Sequence, residues 1–195
     1  MTWVLLAVAS YELLNHIPRG TLISLTTSFD AAIPVIPVFV VPYLSFIPLV
    51  FVVLPWLTAS QPKVFSSYTL SLFITQMILN VLYLLVPATV TRPQLIGNDV
   101  FSNLLRDLVW KLDEPVNTFP SNHVAFSVIA ILAIAKLGKR TWLTTGLQVW
   151  LGLVCLSTLF VHQHVIADVV AGVIIGSTVF LVAFGKPKPS DHSGD

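Results

Sequence analysis

Two histidines stand at the start of apolar stretches, and His164 has a carboxylate, Asp168, four residues further on. On a helix, that spacing places both side chains on one face. A carboxylate bonded to one ring nitrogen fixes the tautomer of a histidine and raises the basicity of the other nitrogen. We therefore predict that His164 acts as a nucleophile or base. Asp168 could also simply cap its helix, but a cap does not require the neighbouring histidine.

The second histidine closes the run Pro120-Ser121-Asn122-His123. Proline suits the first turn of a helix, and serine and asparagine are good capping residues. The unpaired N–H groups at a helix start bind anions. Capping alone explains the first three residues. Combined with the histidine–aspartate pair, however, the run indicates a phosphate-binding helix end and phosphoryl transfer at a membrane surface.

One arginine is a third candidate for chemistry. Arg92 follows the third hydrophobic stretch of the chain by a few residues. A guanidinium neutralises phosphate through two parallel hydrogen bonds, and it equally serves as an anchor at the membrane interface. The sequence leaves both roles open.

The composition is that of a membrane protein. Of the 195 residues, 55% are hydrophobic and 10% are charged, whereas soluble domains have about a quarter charged residues. Lipid must therefore be the solvent for most of the surface. The formal net charge of +1 predicts no nucleic-acid partner, which would need a clustered basic face. The single cysteine, Cys155, lies in an apolar run and is expected to be a buried small side chain without a disulfide.

Six hydrophobic stretches are candidates for spanning helices, which need about 20 mainly apolar residues. Five are good candidates, at residues 38–57, 67–86, 124–137, 142–161 and 165–184. The sixth, at residues 2–17, is interrupted by Glu12 and His16; because it lacks a basic start and a cleavage site, we expect a retained helix. The predicted fold class is all-α, a polytopic protein with one six-helix catalytic domain over residues 1–185 and a polar cytoplasmic tail over residues 186–195.

The basic residues predict the orientation of these helices. In a six-helix topology one side receives Lys63, Lys136, Lys139, Arg140, Lys186 and Lys188. That side is expected to be cytoplasmic and to hold both termini. The two histidines then face outward, and we expect a multi-pass protein of the plasma (inner) membrane.

Two outer segments are too long to be simple turns. Residues 19–37 contain Pro34 and Pro37, which resist a continuous helix, and are expected to lie in the membrane interface. Residues 100–112 have apolar side chains at helical spacing and predict a short interfacial helix before the fourth spanning helix. A lid packed over the bundle is an equal alternative. The apolar side chains are Phe101, Leu104, Leu105, Leu108 and Leu112.

These motifs resemble two signatures of the type 2 phosphatidic acid phosphatase superfamily, which also contains vanadium haloperoxidases. One signature, Pro-Ser-Gly-His, is similar to residues 120–123, where asparagine replaces glycine. Another, Ser-Arg-x5-His-x3-Asp, matches at Ser157, His164 and Asp168, with Thr158 in place of the arginine.

The first signature of that family, Lys-x6-Arg-Pro, matches in part. Arg92 and Pro93 are present, but Leu85 stands where the lysine belongs. The order of the signatures and the six-helix layout are also similar, so the resemblance covers nearly the whole chain.

The resemblance implies a two-step mechanism that needs neither a metal nor a cofactor. His164 would attack phosphorus and form a phosphohistidine while Asp168 holds its ring. His123 would protonate the leaving alcohol and then activate water or an acceptor alcohol. The implied phosphate-binding residues are Arg92, Ser121, Asn122, Ser157 and Thr158.

Two activities stay open because two family cations are missing, at Leu85 and Thr158. One is a lipid phosphatase that acts on a phospholipid or isoprenyl (di)phosphate at the outer membrane face. The other transfers a phospho-headgroup between lipids, as in the sphingomyelin synthase and inositol phosphorylceramide synthase branch, because a diester monoanion needs less neutralisation than a monoester dianion. Lys111, Arg106 or His162 could instead supply the missing charge.

Two classes without catalysis fit the sequence less well. A transporter predicts ionisable residues near the bilayer midplane and an internal repeat, whereas here the ionisable residues lie at helix ends and no repeat is seen. A structural membrane subunit would explain the apolar helices but not the paired histidines with Asp168. The sequence specifies neither the lipid nor the oligomeric state.

Overall fold

The computed structural model describes residues 6, 9–11, 13–14, 20–138 and 140–185. Most of the predicted helix at residues 2–17 and the whole polar tail at residues 186–195 lie outside the described residues. The described positions between residues 6 and 14 are helical.

Five of the described helices coincide with the five stronger hydrophobic stretches to within a few residues, and a further short helix, Ser28–Ala31, precedes them. Four are long and apolar enough to cross a membrane, namely α1 (Pro37–Thr58), α2 (Pro62–Leu85), α5 (Trp142–Phe160) and α6 (Ile166–Phe184). Between α2 and α5 lie α3, formed by Val100–Asn103 and Leu104–Trp110, and the apolar α4 (Asn122–Lys136). The chain is thus a helical membrane protein, and within the described residues four helices reach spanning length, while the count of six stays a prediction.

Helix α1 contains a π-helical turn at Leu49–Val53. In such a turn the carbonyl of Val50 would accept from the amide five residues on, but that residue is Pro55, which has no N–H. The hydroxyl of Tyr68 in α2 donates to the Val50 carbonyl instead, at 2.8 Å. The carbonyl of Val50, for which lipid offers no hydrogen-bond donor, is therefore paired by the neighbouring helix.

Helix α4 is the central helix and packs against α2, α5 and α6. Two glycines of α6, Gly172 and Gly176, face its first turns. A Cβ atom at Gly172 would lie 2.7 Å from the carbonyl oxygen of Ser121, and one at Gly176 would collide with the backbone of Ala125. The Gly-x-x-x-Gly spacing therefore serves close packing within the bundle.

The fold is mostly helical, as predicted, and also contains one short parallel strand pair. Ile23–Ser24 (β1) pairs with Ala88–Thr89 (β2), with Ile23 opposite Ala88. The amide of Ile23 also donates to the carbonyl of Pro87 at 2.9 Å. The segment before α1, for which the sequence predicted only an interfacial position, is thereby joined to the segment that leads to Arg92.

Helix α3 packs over the start of α1. A small core at this contact consists of Val40, Tyr43, Leu105, Val109 and Val161. Because Leu104–Trp110 is π-helical, the side chains that share a face differ from those predicted for an α-helix. Leu108 and Leu112, which belong to the predicted apolar face, are 41% and 72% exposed. The contact with α1 fits the packed lid, and the exposed apolar side chains are compatible with the interfacial position, which stays a prediction.

The length of α4 sets the depth of its first residues. Its 15 residues rise about 22 Å, which is less than the roughly 30 Å of a bilayer hydrocarbon core. At its far end Lys136 shares a cavity with Lys63 and Phe184, so this end is level with the ends of α2 and α6. The N-terminal end of α4, with His123, therefore lies below the opposite face of the bundle.

Candidate active site

His164 and Asp168 form a pair where α5 ends and α6 begins. Nδ1 of His164 lies 3.2 Å from Oδ2 of Asp168. Both side chains are almost fully buried. When Nδ1 carries the hydrogen donated to the carboxylate, the lone pair is left on Nε2. The pair therefore presents Nε2 as a nucleophile or base.

Asp168 also accepts hydrogen bonds from two backbone amides outside its own helix. Its Oδ2 accepts from the amide of Val165 at 3.0 Å, so the helix-capping role and the pairing with His164 coexist. Its carbonyl accepts from the amide of Ser121 at 3.1 Å, which joins the first turn of α6 to the start of α4. The two histidine-bearing segments are thus held together at this aspartate.

The turn between α5 and α6 is fixed by backbone hydrogen bonds. The carbonyl of Thr158 accepts from the amides of both Gln163 and His164, at 3.1 Å each. His162 has a positive φ of 50°, a conformation that side chains other than glycine rarely adopt. This tight turn brings His164 back over the end of α5.

A buried carboxylate from the segment before α1 secures the start of α6. Oδ1 of Asp30 accepts from the amide of Ile166 at 2.7 Å, and Oδ2 accepts from the amide and hydroxyl of Thr27. Burial disfavours the charged carboxylate, but these hydrogen bonds outweigh burial and hold the pKa of Asp30 below its ordinary value of 3.8. Asp30 therefore positions the residues that follow His164.

His123 lies in the first turn of α4, between aromatic rings and His164. Its ring stacks on Tyr43 with centroids 4.5 Å apart and contacts Phe46 at 4.3 Å. The centroids of the His123 and His164 rings are 6.0 Å apart. The hydroxyl of Ser121 accepts from the amide of Val124 at 3.3 Å and caps the helix, as predicted.

The two histidines line one cavity, which we call the central cavity. Its polar lining comprises Asp113, Glu114, Asn117, Thr118, Asn122, His123, Gln163 and His164. Its volume is about 20 Å³, which is room for about one water molecule. Among the described residues, no three histidine, cysteine or acidic side chains form a metal-binding cluster.

Arg92 is bound to protein acceptors at the edge of this site. Its guanidinium donates to the carbonyls of Trp110, at 2.6 Å, and Asp113, and to Oε1 of Gln163. Burial lowers the pKa of Arg92 from its ordinary value of 12.5, while Asp113 and Tyr43 act in the opposite direction. In this structure Arg92 organises the segment after α3 rather than projecting into the central cavity.

Asp113 connects Arg92 to His123 and was not among the residues predicted for the site. Its Oδ2 accepts from the hydroxyl of Tyr43 at 3.0 Å and from Nε2 of Gln163 at 3.2 Å. Tyr43 in turn stacks on His123. No sequence motif predicted this network, because Asp113 and Tyr43 are 70 residues apart in the chain. Within this network, only the position of Gln163 between His162 and His164 could have drawn attention in the sequence.

Two predicted phosphate-binding side chains are directed into their own helix. The hydroxyl of Ser157 donates to the carbonyl of Val154 at 2.6 Å, and that of Thr158 donates to the carbonyl of Cys155 at 2.8 Å. Both residues are fully buried, and neither lines the central cavity. Of the predicted residues, the structure brings together His123, Asn122, His164 and Asp168, with the backbone of Ser121 beside them.

The described residues offer no replacement for the missing family cations inside the central cavity. Leu85 is 70% exposed at the end of α2. Arg106 donates to Gly97 and Asn103 within its own segment, and Nε2 of His162 lies 3.0 Å from the carbonyl of Ile33. Lys111 is exposed. None of these side chains lines the central cavity.

Fold and site together define a membrane-embedded helical bundle with a carboxylate-paired histidine and a second histidine in one cavity. Residues 62–190 match the family model described as the PAP2 superfamily. The chain therefore belongs to the PAP2 superfamily, which is generally a family of phosphoesterases. The matched region runs from the start of α2 past the end of α6. No curated protein and no solved structure matches the chain significantly.

Proposed function

We propose that this protein is a lipid phosphatase that forms a phosphohistidine at His164. The observation that carries the proposal is the contact of 3.2 Å between His164 and the buried Asp168, with His123 in the same cavity. A histidine whose Nδ1 is held by a carboxylate is an activated nucleophile. Membership of a phosphoesterase family supports phosphorus as the atom attacked.

In the first step, the lone pair on Nε2 of His164 attacks phosphorus, and the bond from phosphorus to the alcohol oxygen breaks. His123 gives its proton to the departing oxygen. In the second step, His123 takes a proton from water, the water oxygen attacks phosphorus, and the phosphorus–nitrogen bond breaks with its electrons returning to Nε2. Asp168 holds the imidazole in both steps and stabilises its cationic form.

The helix start at Ser121 supplies electrostatic stabilisation. The amides of Asn122 and His123 lie in the first turn of α4, where backbone N–H groups have no acceptor within the helix. Such N–H groups and the helix dipole favour an anion at this end. They reach charge that develops on the phosphoryl oxygens without any reorganisation of the backbone.

Transfer of a phospho-headgroup is the second candidate, and the charge of the central cavity favours it. Asp113 and Glu114 line that cavity, while Leu85 and Thr158 provide no cation and Arg92 is already bonded to protein acceptors. A monoester dianion is poorly neutralised there. A diester monoanion requires less positive charge, so a phosphodiester lipid suits this site.

The proposed location is a plasma (inner) membrane with the site on the outer face. Lys63, Lys136 and Arg140 lie at the bundle end opposite the histidines, at the loop sides of α2, α4 and α5. An excess of basic residues marks the cytoplasmic side. A lipid substrate in the outer leaflet would then reach the histidines from the bilayer.

Phosphorus NMR of the detergent-purified protein tests the proposal. The substrates are phosphatidic acid, phosphatidylglycerol phosphate, an isoprenyl diphosphate and common phosphodiester lipids, with His164→Ala as the control. Inorganic phosphate released only by the wild type supports the phosphatase, whereas new lipid or headgroup signals without inorganic phosphate support the transferase. Identical spectra for the wild type and His164→Ala would remove both activities.

A further inference from the structure

A second cavity, the lateral cavity, lies between α1, α3 and the start of α4 and has a volume of about 280 Å³. Its apolar lining includes Phe46, Ile47, Phe51, Leu108, Leu112 and Phe126. Ile47 and Leu112 are 64% and 72% exposed, so the cavity opens sideways, on the surface that a spanning bundle presents to lipid. Its inner end, where it meets the central cavity, is lined by Tyr11, Asp113, Asn122 and His123, which line both cavities.

The positions of the two histidines determine which group of the substrate would face the lateral cavity. His123 lines both cavities, whereas His164 lines the central cavity but not the lateral one. In an in-line displacement the leaving oxygen departs on the side opposite the attacking atom. With Nε2 of His164 as the attacking atom, the leaving oxygen is directed toward His123 and the inner end of the lateral cavity.

A third cavity of about 270 Å³ lies beside His164 and has Asp30, Thr91 and His162 in its lining. It does not include His123. A leaving group in this cavity would lie on the same side of phosphorus as the attacking nitrogen, which an in-line displacement excludes. The lateral cavity is therefore the better site for an apolar leaving group.

We propose that the lateral cavity holds the hydrocarbon chain of the lipid alcohol that leaves phosphorus. The inference rests on the proposed function and adds the orientation of the substrate: the bond from phosphorus to the lipid oxygen breaks, His123 protonates that oxygen, and the phosphoryl group or phospho-headgroup stays on His164. The volume lies near the lower end of the range for ligand pockets, about 300–1,000 Å³, which suits one chain better than a two-chain lipid or a protein helix.

Chain-length dependence tests this inference with Ile47→Trp, which adds bulk at the mouth of the lateral cavity. Its matched control is Val52→Trp, on the same helix, equally exposed at 64% and absent from the cavity lining. The substrates are butyl, octyl and dodecyl phosphates and the corresponding alkyl methyl phosphodiesters. The readout is kcat/KM in detergent.

The wild type is expected to prefer longer chains. Ile47→Trp should lose up to about fourfold in kcat/KM for each methylene that it excludes from the cavity, while butyl substrates and the Val52→Trp variant stay within twofold of the wild type. Equal losses for butyl and dodecyl substrates, or equal effects of the two tryptophans, would overturn the inference. A wild type that cleaves none of these esters would overturn the proposed function, and the inference with it.

A binding measurement covers the case in which Ile47→Trp does not fold. Dodecyl phosphate with a diazirine at the chain end is cross-linked to the His164→Ala variant, and the labelled peptide is identified by mass spectrometry. Labelling of Pro37–Thr58 or of the α3 segment, competed by unlabelled dodecyl phosphate, is expected. Competed labelling that is confined to α5 and α6 would show that the chain binds elsewhere.

Discussion

Replacing Gly172 by alanine is expected to reduce activity more than stability. The new Cβ would lie 2.7 Å from the carbonyl oxygen of Ser121 and 3.0 Å from Cβ of Val124. Ordinary carbon contacts are about 3.5–4.0 Å, so α6 and the start of α4 must separate by roughly 0.5–1 Å. The hydrogen bond from the amide of Ser121 to the carbonyl of Asp168, now 3.1 Å, then passes the usual limit of about 3.2 Å.

The two energetic effects of Gly172→Ala on folding partly cancel. Overpacking costs about 1–3 kcal/mol, and the better helix propensity of alanine returns about 1 kcal/mol. The net loss is therefore on the order of 0–2 kcal/mol. Catalysis has no such compensation, because the same shift moves His123 relative to His164, and a displacement of about 1 Å can cost on the order of a hundredfold in rate.

The assay compares kcat/KM and thermal unfolding of Gly172→Ala with those of Gly152→Ala. Gly152 lies in α5, and a Cβ there would meet nothing within 4 Å, so this control should gain up to about 1 kcal/mol and keep wild-type activity. Wild-type kcat/KM in a folded Gly172→Ala variant would refute the view that the contact between α4 and α6 sets the distance between the histidines.

Three further substitutions address single groups of the site. Asp168→Asn should lower kcat by on the order of 10³–10⁴-fold while the protein stays folded, because the wrong tautomer of His164 is favoured; a loss below tenfold would contradict the pairing. Arg92→Lys keeps the charge but not the simultaneous bonds to Trp110, Asp113 and Gln163, so the unfolding temperature should fall by several degrees, and an unchanged value would show that these bonds are dispensable. Because the pKa of Asp30 is lowered on folding, its contribution to stability is complete above about pH 4 and is lost as the pH falls below that value; unfolding midpoints of Asp30→Asn and wild type should converge there, and a constant difference would argue against this role.

The sequence predicted those parts of the fold that follow from the requirements of a lipid bilayer. Spanning helices need long apolar runs, so α1, α2, α5 and α6 were found within a few residues. The pairing of His164 with Asp168 was also predicted from their spacing, although His164 lies just before α6 and the contact forms because Asp168 in the first turn reaches back toward it. The cap at Ser121 followed from the same local rules.

The rest depends on contacts between distant segments, which leave no periodic pattern. Asp30 reaches Ile166 across 136 residues, and Asp113 reaches Tyr43 across 70. The π-helical part of α3, which places Leu105 and Val109 in the core, has no signature in the sequence. Arg92 received two possible roles from its sequence position, yet its guanidinium bonds to Gln163 and to main-chain carbonyls, an arrangement that only the folded loops define.

The lateral cavity also bears on the choice between hydrolysis and transfer. Under the proposed mechanism, the acceptor of the second step attacks phosphorus opposite the phosphorus–nitrogen bond, and therefore from the side of His123 that the leaving alcohol has just occupied. That side is lined by Phe46, Ile47 and Phe126 and opens toward lipid. Water must displace or follow a hydrocarbon chain to reach it, whereas a second lipid alcohol enters by the same path. Transfer is thus favoured when the alcohol exchanges faster than water enters, and hydrolysis is favoured when the polar lining at Asn117 and Thr118 admits water first.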